Sequence, residues 1–310
     1  MLELYVEIIM NNTNKTLILI LQGLSLGILS IIFPPIVFFI PHRFLTYAYE
    51  DSIIKSILFF GISCFGVGLL SPMIGVFLFT ICAPLILVLH YMMTTKTLSH
   101  YAIIAGGAIT FVAGIMIMYA MGINGDTLLS KESVDGYIQN AELILKNAGL
   151  NNTQFNDMKA NLILNFRNSV RLMPSIMVII AMMLSYITYT KSARTIITNG
   201  RAVQFTTPFI WFRMPRSYTQ IMVIVILFLE CILKDMDTLS FNIKAILLFS
   251  MFIQGVSVVK FYMNKIKMGR FIQSVIILFM VVFTWTQIIA VSIGFIDSLL
   301  NVRRLPKFNE

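Results

Sequence analysis

Of 310 residues, 58% are apolar and only 12% are charged, against roughly 25% charged in ordinary soluble domains, which excludes a soluble globular protein. A net charge of +9 would suit nucleic acid or an anionic bilayer surface, and the apolar content decides for the bilayer and against nucleic acid. Cys64, Cys82 and Cys231 are odd in number and sit in or beside apolar runs, so they build no disulfide framework.

A hydrocarbon core about 30 Å thick needs roughly 20 helical residues. The first uncharged stretch predicts a span near 16–41; Glu3 and Glu7 ahead of it, with no basic cluster, give no cleavable signal, so the N-terminus is expected to be retained. Gly23, Gly27, Ser30 and Pro34 fall at i, i+4, i+7 and i+11, one stripe of small residues before the Pro34-Pro35 break. Such a stripe lets another helix approach closely, either inside this chain or from a partner subunit. The next uncharged stretch is too long for one helix and breaks at Ser71-Pro72, giving spans near 53–70 and 73–93. A span near 101–121 repeats the small-residue device with Gly107, Thr110 and Gly114.

The polar stretch 122–171 carries helical periodicity. Val134, Tyr137, Ile138, Ala141, Ile144 and Leu145 form one apolar stripe, and Phe155, Met158, Leu162, Phe166 and Val170 form a second. Ala148-Gly149 and Asn151-Asn152 separate them, which predicts an amphipathic helical hairpin, either lying on the membrane or closing over a cavity.

Spans near 172–190, 217–233, 243–263 and 271–296 complete the chain, with Glu230 and Lys260 close enough to their ends to snorkel. Glu230 also has Lys234 four residues on. Segment 190–218 holds Lys191, Arg194, Arg201, Arg213 and Arg216 with no acid, which assigns it to the cytoplasm and the hairpin to the outside. Eight crossings would, however, place Arg303, Arg304 and Lys307 outside, against the same rule. The expected fold is an all-α polytopic transmembrane bundle of about eight spans with one extramembrane hairpin. It divides into an N-terminal membrane half (1–121), the hairpin (122–171) and a C-terminal membrane half (172–310).

No phosphate loop, dinucleotide fingerprint, His-Glu-x-x-His helix or paired-cysteine motif occurs, and His42, His90 and His100 are scattered at span ends. Neither an enzyme, a cofactor nor a metal site is expected. Polar faces offer the candidates for binding. Ser250, Gln254 and Ser257 share a face of one late helix, Thr284 and Gln287 share a face of the next beside Trp285, and Gln22 sits in the first span. Amides in hydrocarbon demand partners. Gln22, Gln254, Ser257, Thr284, Trp285 and Gln287 therefore either glue helices together or line a pocket for a small, largely neutral ligand. Between prolines, Thr207-Pro208-Phe209-Ile210-Trp211-Phe212-Arg213-Met214-Pro215-Arg216 reads as an interfacial anchor, with Trp211, Arg213 and Arg216 in the headgroup layer.

That segment, with Pro41-His42-Arg43-Phe44, Met173-Pro174 and Gly294-Phe295-Ile296-Asp297 followed by Arg303-Arg304 in the same order, resembles the YybS-like family of bacterial predicted membrane proteins. The family is in turn distantly similar to the substrate-binding membrane subunits of energy-coupling factor transporters. The resemblance implies a bacterial plasma-membrane protein, with Gly23, Gly27 and Ser30 on a helix that meets a transmembrane coupling subunit served by separate ATPases. Glycine stands where those subunits carry alanine, and eight helices where they usually have six. The leading expectation is a substrate-capturing membrane subunit. The alternative is a non-transporting scaffold or regulator that recruits partners through 190–218 and the hairpin. A closed cavity at Gln254 and Gln287 would favour the first, and a solid bundle there the second.

Overall fold

The computed structural model describes residues 2–146, 152–232 and 237–305, with side chains from residue 14 onward except 126, 140–156 and 232–237. Among the described residues all regular secondary structure is helical. The helices are α1 (Leu2–Ile32), α2 (Pro41–Glu50), α3 (Ile53–Leu70), α4 (Pro72–Thr94), α5 (Ser99–Ala120), α6 (Gly125–Leu128), α7 (Lys131–Lys146), α8 (Asn152–Arg171), α9 (Met173–Thr198), α10 (Arg216–Ile232), α11 (Asp237–Lys265), α12 (Arg270–Val282) and α13 (Thr284–Leu300).

Among the described residues, six helical stretches are long and apolar enough to cross a membrane: Asn14–Ile32, Ile53–Leu70, Pro72–Thr94, Ser99–Ala120, Met173–Thr198 and Thr238–Lys265. A seventh is reached if α12 and α13 count together, although the pair bends by 101°. The expected eight differ at two places. Helix α10 has 17 residues, about 26 Å at 1.5 Å per residue, slightly less than the hydrocarbon thickness. The run expected as one span over 271–296 is instead broken at Phe283, whose extended backbone separates α12 from α13.

Contacts divide the chain into two compact units: Met1–Leu128 with Met177–Thr206, and Leu129–Ile176 with Thr207–Glu310. Most of α9 therefore groups with the N-terminal helices. In the first unit, α3 ends at Leu70 and Pro72 opens α4 at a position where its missing N–H costs nothing. The two helices then run close enough that a Cβ on Gly75 would stand 2.7 Å from the Cys64 carbonyl oxygen and from Gly68 Cα. Phe44, Leu45, Phe60, Leu85, Ile86 and Leu89 form the core, with Phe44 and Phe60 edge to face at 4.9 Å.

The small-residue stripe of α1 meets its own chain. A Cβ on Gly23 would stand 2.6 Å from Phe44 Cζ and 2.7 Å from Ser63 Oγ, one on Gly27 would collide with Val67, and Ser30 donates to the Gly27 carbonyl at 2.6 Å. Gly107 is closed in the same way by Met182. Gly27→Leu and Gly107→Leu are therefore both expected to lower the thermal stability of the isolated protein by about 1–3 kcal/mol. Loss of a specific association by Gly27→Leu, with monomer stability kept, would instead assign the α1 stripe to a partner subunit.

Segment 199–206 is tied to α2 by bonds from Arg201 Nη1 to the Tyr49 carbonyl (2.9 Å) and from Asn199 Nδ2 to Glu50 Oε1 (2.6 Å). Tyr189 donates to the Gln204 carbonyl at 2.7 Å. Burial holds the His42 imidazole down to about 4 despite a smaller upward push from its 2.6 Å bond to the Phe39 carbonyl, so the ring is neutral at pH 7. His42 serves the turn into α2.

In the second unit, α7 and α8 pack through Tyr137 and Phe166, stacked at 4.7 Å, with Val134 and Ile138 buried. The expected separator Ala148-Gly149 and Asn151, and Lys234 and Lys307, lie outside the described residues, as do the side chains of Ala141, Ile144, Leu145, Asn152 and Phe155. Helices α10 and α11 run antiparallel, bonded from Tyr218 to Ser250 (3.3 Å) at one end and paired from Glu230 to Lys244 at the other. Helices α11 and α13 cross backbone to backbone at Gly255 and Gly294. A Cβ on Gly255 would overlap the Ala290 carbonyl oxygen and one on Gly294 the Met251 carbonyl oxygen. Only glycine fits such a crossing.

Candidate functional site

The most polar buried place in the second unit starts from a helix end. α13 stops at Leu300, Asn301 takes a left-handed conformation (φ 50°), and its amide bonds both the Leu305 N–H and the Leu305 carbonyl at 3.0 Å. Asparagine is among the few residues that tolerate this conformation. The turn folds Arg303 back onto α13, where its guanidinium meets Asp297 with both side chains fully buried.

Each N–H of that guanidinium finds an acceptor. Nε and Nη2 donate to Asp297 Oδ2 at 3.2 and 2.8 Å, and Nη2 also donates to the Phe212 carbonyl at 2.6 Å. Nη1 donates to the Ile210 carbonyl at 2.7 Å and to Ser257 Oγ at 2.8 Å. Asp297 accepts further from Gln254 Nε2 (3.0 Å) and the Arg303 main-chain N–H (3.3 Å). Gln254 Oε1 accepts the Met214 N–H at 2.9 Å, and Ser257 donates to the Phe209 carbonyl at 2.6 Å. Thr219 and Ser298, both buried, share a hydroxyl bond alongside. A buried charge pair is tolerable only when its remaining donors and lone pairs are also satisfied, and here they are.

The whole network grips one object, the main chain of Phe209–Met214. The Phe209, Ile210 and Phe212 carbonyls and the Met214 N–H are held from α11 and from Arg303 after α13, while Lys260 stands 5.6 Å over the Phe209 ring. Trp211 remains 43% exposed and Arg216 is exposed. Arg213 differs from the expected anchor: its Nη2 turns inward to the Ser298 carbonyl at 3.2 Å, and its Nε is buried without a partner.

The other residues singled out in the sequence do not converge. Gln22 is half-buried in the first unit. Thr284 and Trp285 are exposed, Trp285 at 81%. Gln287 donates to the Val281 carbonyl at 2.6 Å, and Thr286 to the Phe279 and Phe283 carbonyls at 2.9 and 2.7 Å. These bonds reach carbonyls around the α12–α13 bend, and those of Phe279 and Phe283 also accept the main-chain N–H groups of Phe283 and Gln287. None of Gln22, Gln254, Ser257, Thr284, Trp285 and Gln287 lines either cavity described for the second unit. One of those, about 420 Å3, is an apolar recess between α11 and α13 lined by Val258, Tyr262, Met263, Ile293 and Ile296, and by Asp297 and Val302. The other holds Glu230 and Lys244 and has a volume of about 210 Å3.

Sequence reasoning missed Asp297 and Arg303 as a buried pair, although both stood in the motif that ends the last apolar run. It also missed Gly255. Among the described residues no group of three His, Cys, Asp or Glu side chains could hold a metal ion, and Cys64, Cys82 and Cys231 are free thiols.

The model of the family described as "Predicted membrane protein (DUF2232)" matches residues 16–298, and the chain belongs to that family. No curated protein and no solved structure matches it. The chain is thus a polytopic, multi-pass integral membrane protein whose spans lie in a lipid bilayer, consistent with the plasma membrane.

Proposed function

For this member of a family defined only as membrane proteins, we propose a non-transporting scaffold or regulator that presents the Phe209–Arg216 segment at the cytoplasmic face to a protein partner. The observation that carries this is the network just described: a fully buried ion pair spent on fixing the backbone of one short segment while Trp211 and Arg216 stay outside. Preorganising a loop reduces the ordering cost when a partner binds, and Trp and Arg are the side chains most enriched at binding hot spots. Solid packing around Gln254 supports the same choice, since its amide is consumed by Asp297 and Met214.

The cytoplasmic assignment rests on charge. Arg303 bonds the Ile210 and Phe212 carbonyls, so the end of α13 lies on the side of segment 207–216. With α12 and α13 bent back, Arg213, Arg216, Lys265, Lys267, Arg270 and Arg304 gather at one membrane face. The frustration that eight crossings create is then relieved.

A photo-crosslinking residue at Trp211 tests the proposal in cells. A discrete protein adduct is expected, lost at least tenfold in Arg303→Met although that variant still inserts. Adducts to lipid alone would refute a partner-presenting role.

A second reading is the substrate-capturing subunit implied by the YybS-like resemblance, working with a transmembrane coupling subunit and separate ATPases. The observation on its side is the cavity at Glu230 and Lys244, and a small molecule retained through purification would favour it. Neither reading requires catalysis by this chain.

A further inference from the structure

The cavity at Glu230 and Lys244 is formed at the ends of three helices. Asn168 and Arg171 come from the last turn of α8, Glu230 from the end of α10, and Thr238, Ser240 and Lys244 from the start of α11. Its walls are fixed to one another by Asn242, which is buried. The Asn242 amide accepts the Ser175 N–H at 2.9 Å and donates to the Arg171 and Thr238 carbonyls, each at 2.8 Å. The chain leaving α8 and the first turn of α11 are thereby held at a set distance before any ligand arrives.

Three features of this cavity agree on the ligand's chemistry. Among the described residues that line it, Arg171 and Lys244 face one carboxylate, Glu230, so two positive charges less one negative leave a single positive charge. Lys244 and Glu230 pair with each other, while the Arg171 guanidinium has no hydrogen bond or ion pair among the described residues. Second, Ser240 lines the cavity, is only 7% exposed, and its hydroxyl has no partner. A buried polar group left unsatisfied is rare and calls for an explanation. Third, the lining among the described residues is rich in donors: guanidinium, ammonium, the Asn168 amide and two hydroxyls, against one carboxylate already taken. The first turn of α11 adds main-chain N–H groups that have no acceptor within the helix, at the helix end that favours anions.

We propose that this cavity binds a singly charged phosphate group, Arg171 gripping two of its oxygens and the Ser240 hydroxyl donating to a third. The group could belong to a lipid phosphodiester or to a free phosphate. Exposed Leu239 and Phe241 beside the cavity offer an apolar flank that a lipid would use and a free ion would not. The site is independent of the Phe209–Arg216 segment.

The test uses the full chain purified in neutral detergent. Inorganic phosphate is titrated against chloride at equal ionic strength while thermal unfolding is followed. In parallel, retained phosphatidylglycerol is counted by native mass spectrometry after exposure to mixed micelles. At least one probe should bind, and Arg171→Gln and Ser240→Ala should each weaken it about tenfold, the worth of one charge-assisted hydrogen bond. Because Arg171 is exposed and Ser240→Ala removes one oxygen, both variants should fold. A serine with only a structural role would change the melting temperature without phosphate and leave the ligand-dependent shift intact. Lipid retention without a phosphate response identifies the lipid source, and the reverse identifies free phosphate; either supports the site. No response to either probe, or binding within twofold of wild type in both variants, overturns it.

Discussion

Asp297→Ala should lower the stability of the second unit by about 3–5 kcal/mol, the usual cost of stranding one member of a buried ion pair. The Arg303 guanidinium would remain in a fully buried position, still bonded to the Ile210 and Phe212 carbonyls but with no counter-charge. Gln254 would lose its acceptor as well. Replacing both charges, Asp297→Leu with Arg303→Met, should recover much of that loss, because an apolar pair needs no desolvation. It should nevertheless loosen the Phe209–Met214 backbone, because the Ile210 carbonyl would lose its donor and the Phe212 carbonyl would keep only Ser257. Unfolding in detergent measures the first effect, and hydrogen exchange at Ile210–Met214 the second. Asp297→Ala within about 0.5 kcal/mol of wild type, the range of an ordinary surface change, would show that the pair contributes little.

An equally large effect is expected where α11 and α13 cross. Gly255→Val and Gly294→Val should each cost at least about 3 kcal/mol, the upper end of overpacking, because the obstacle is main chain. Beyond the Ala290 oxygen it would overlap, a Cβ on Gly255 would meet Ala290 C at 2.6 Å, and one on Gly294 would meet Gly255 N at 2.8 Å. No rotamer relieves a contact with a carbonyl of another helix. Gly269→Ala is the control, since nothing lies within 4 Å of a Cβ there, and it should stay within about 0.5 kcal/mol of wild type. Helix-capable protein yield and unfolding temperature report the difference.

How far the fold was legible in the sequence follows from how local each signal is. Hydropathy is read residue by residue, so the membrane class, most helices and the break at Ser71-Pro72 could be read directly. The bend between α12 and α13 could not, because no proline or glycine marks it. Its signature is Thr286 and Gln287 in an apolar run, which bond carbonyls around the bend while sharing with Thr284 the composition of a polar binding face. Asp297 stands just past the 271–296 window, which ends at the first charged residue, so hydropathy alone does not mark it as buried. Its burial depends on Asn301 turning Arg303 back, and on carbonyls from a segment some ninety positions earlier in the chain. For Glu230 the sequence offers Lys234 four residues on, which lies outside the described residues; Lys244 reaches it from the antiparallel neighbour. Gly255 and Gly294 stand on different helices, so neither belongs to a stripe that sequence spacing could reveal.

The most direct test of the clamp, and of the single membrane face it implies, is paired cysteine accessibility in cells. Cys231 is the exposed native thiol and is first replaced by serine. Thr207→Cys and Val302→Cys then report on the two chain segments that Arg303 joins. Thr207 is exposed where Thr206 is 5% exposed, and Val302 is 46% exposed. A membrane-impermeant maleimide added to intact cells should label neither position, and the same reagent should label both once the membrane is opened. Labelling of Val302→Cys from outside while Thr207→Cys stays protected would contradict the clamp, because α12 and α13 would then cross the membrane and separate Arg303 from the carbonyls of Ile210 and Phe212.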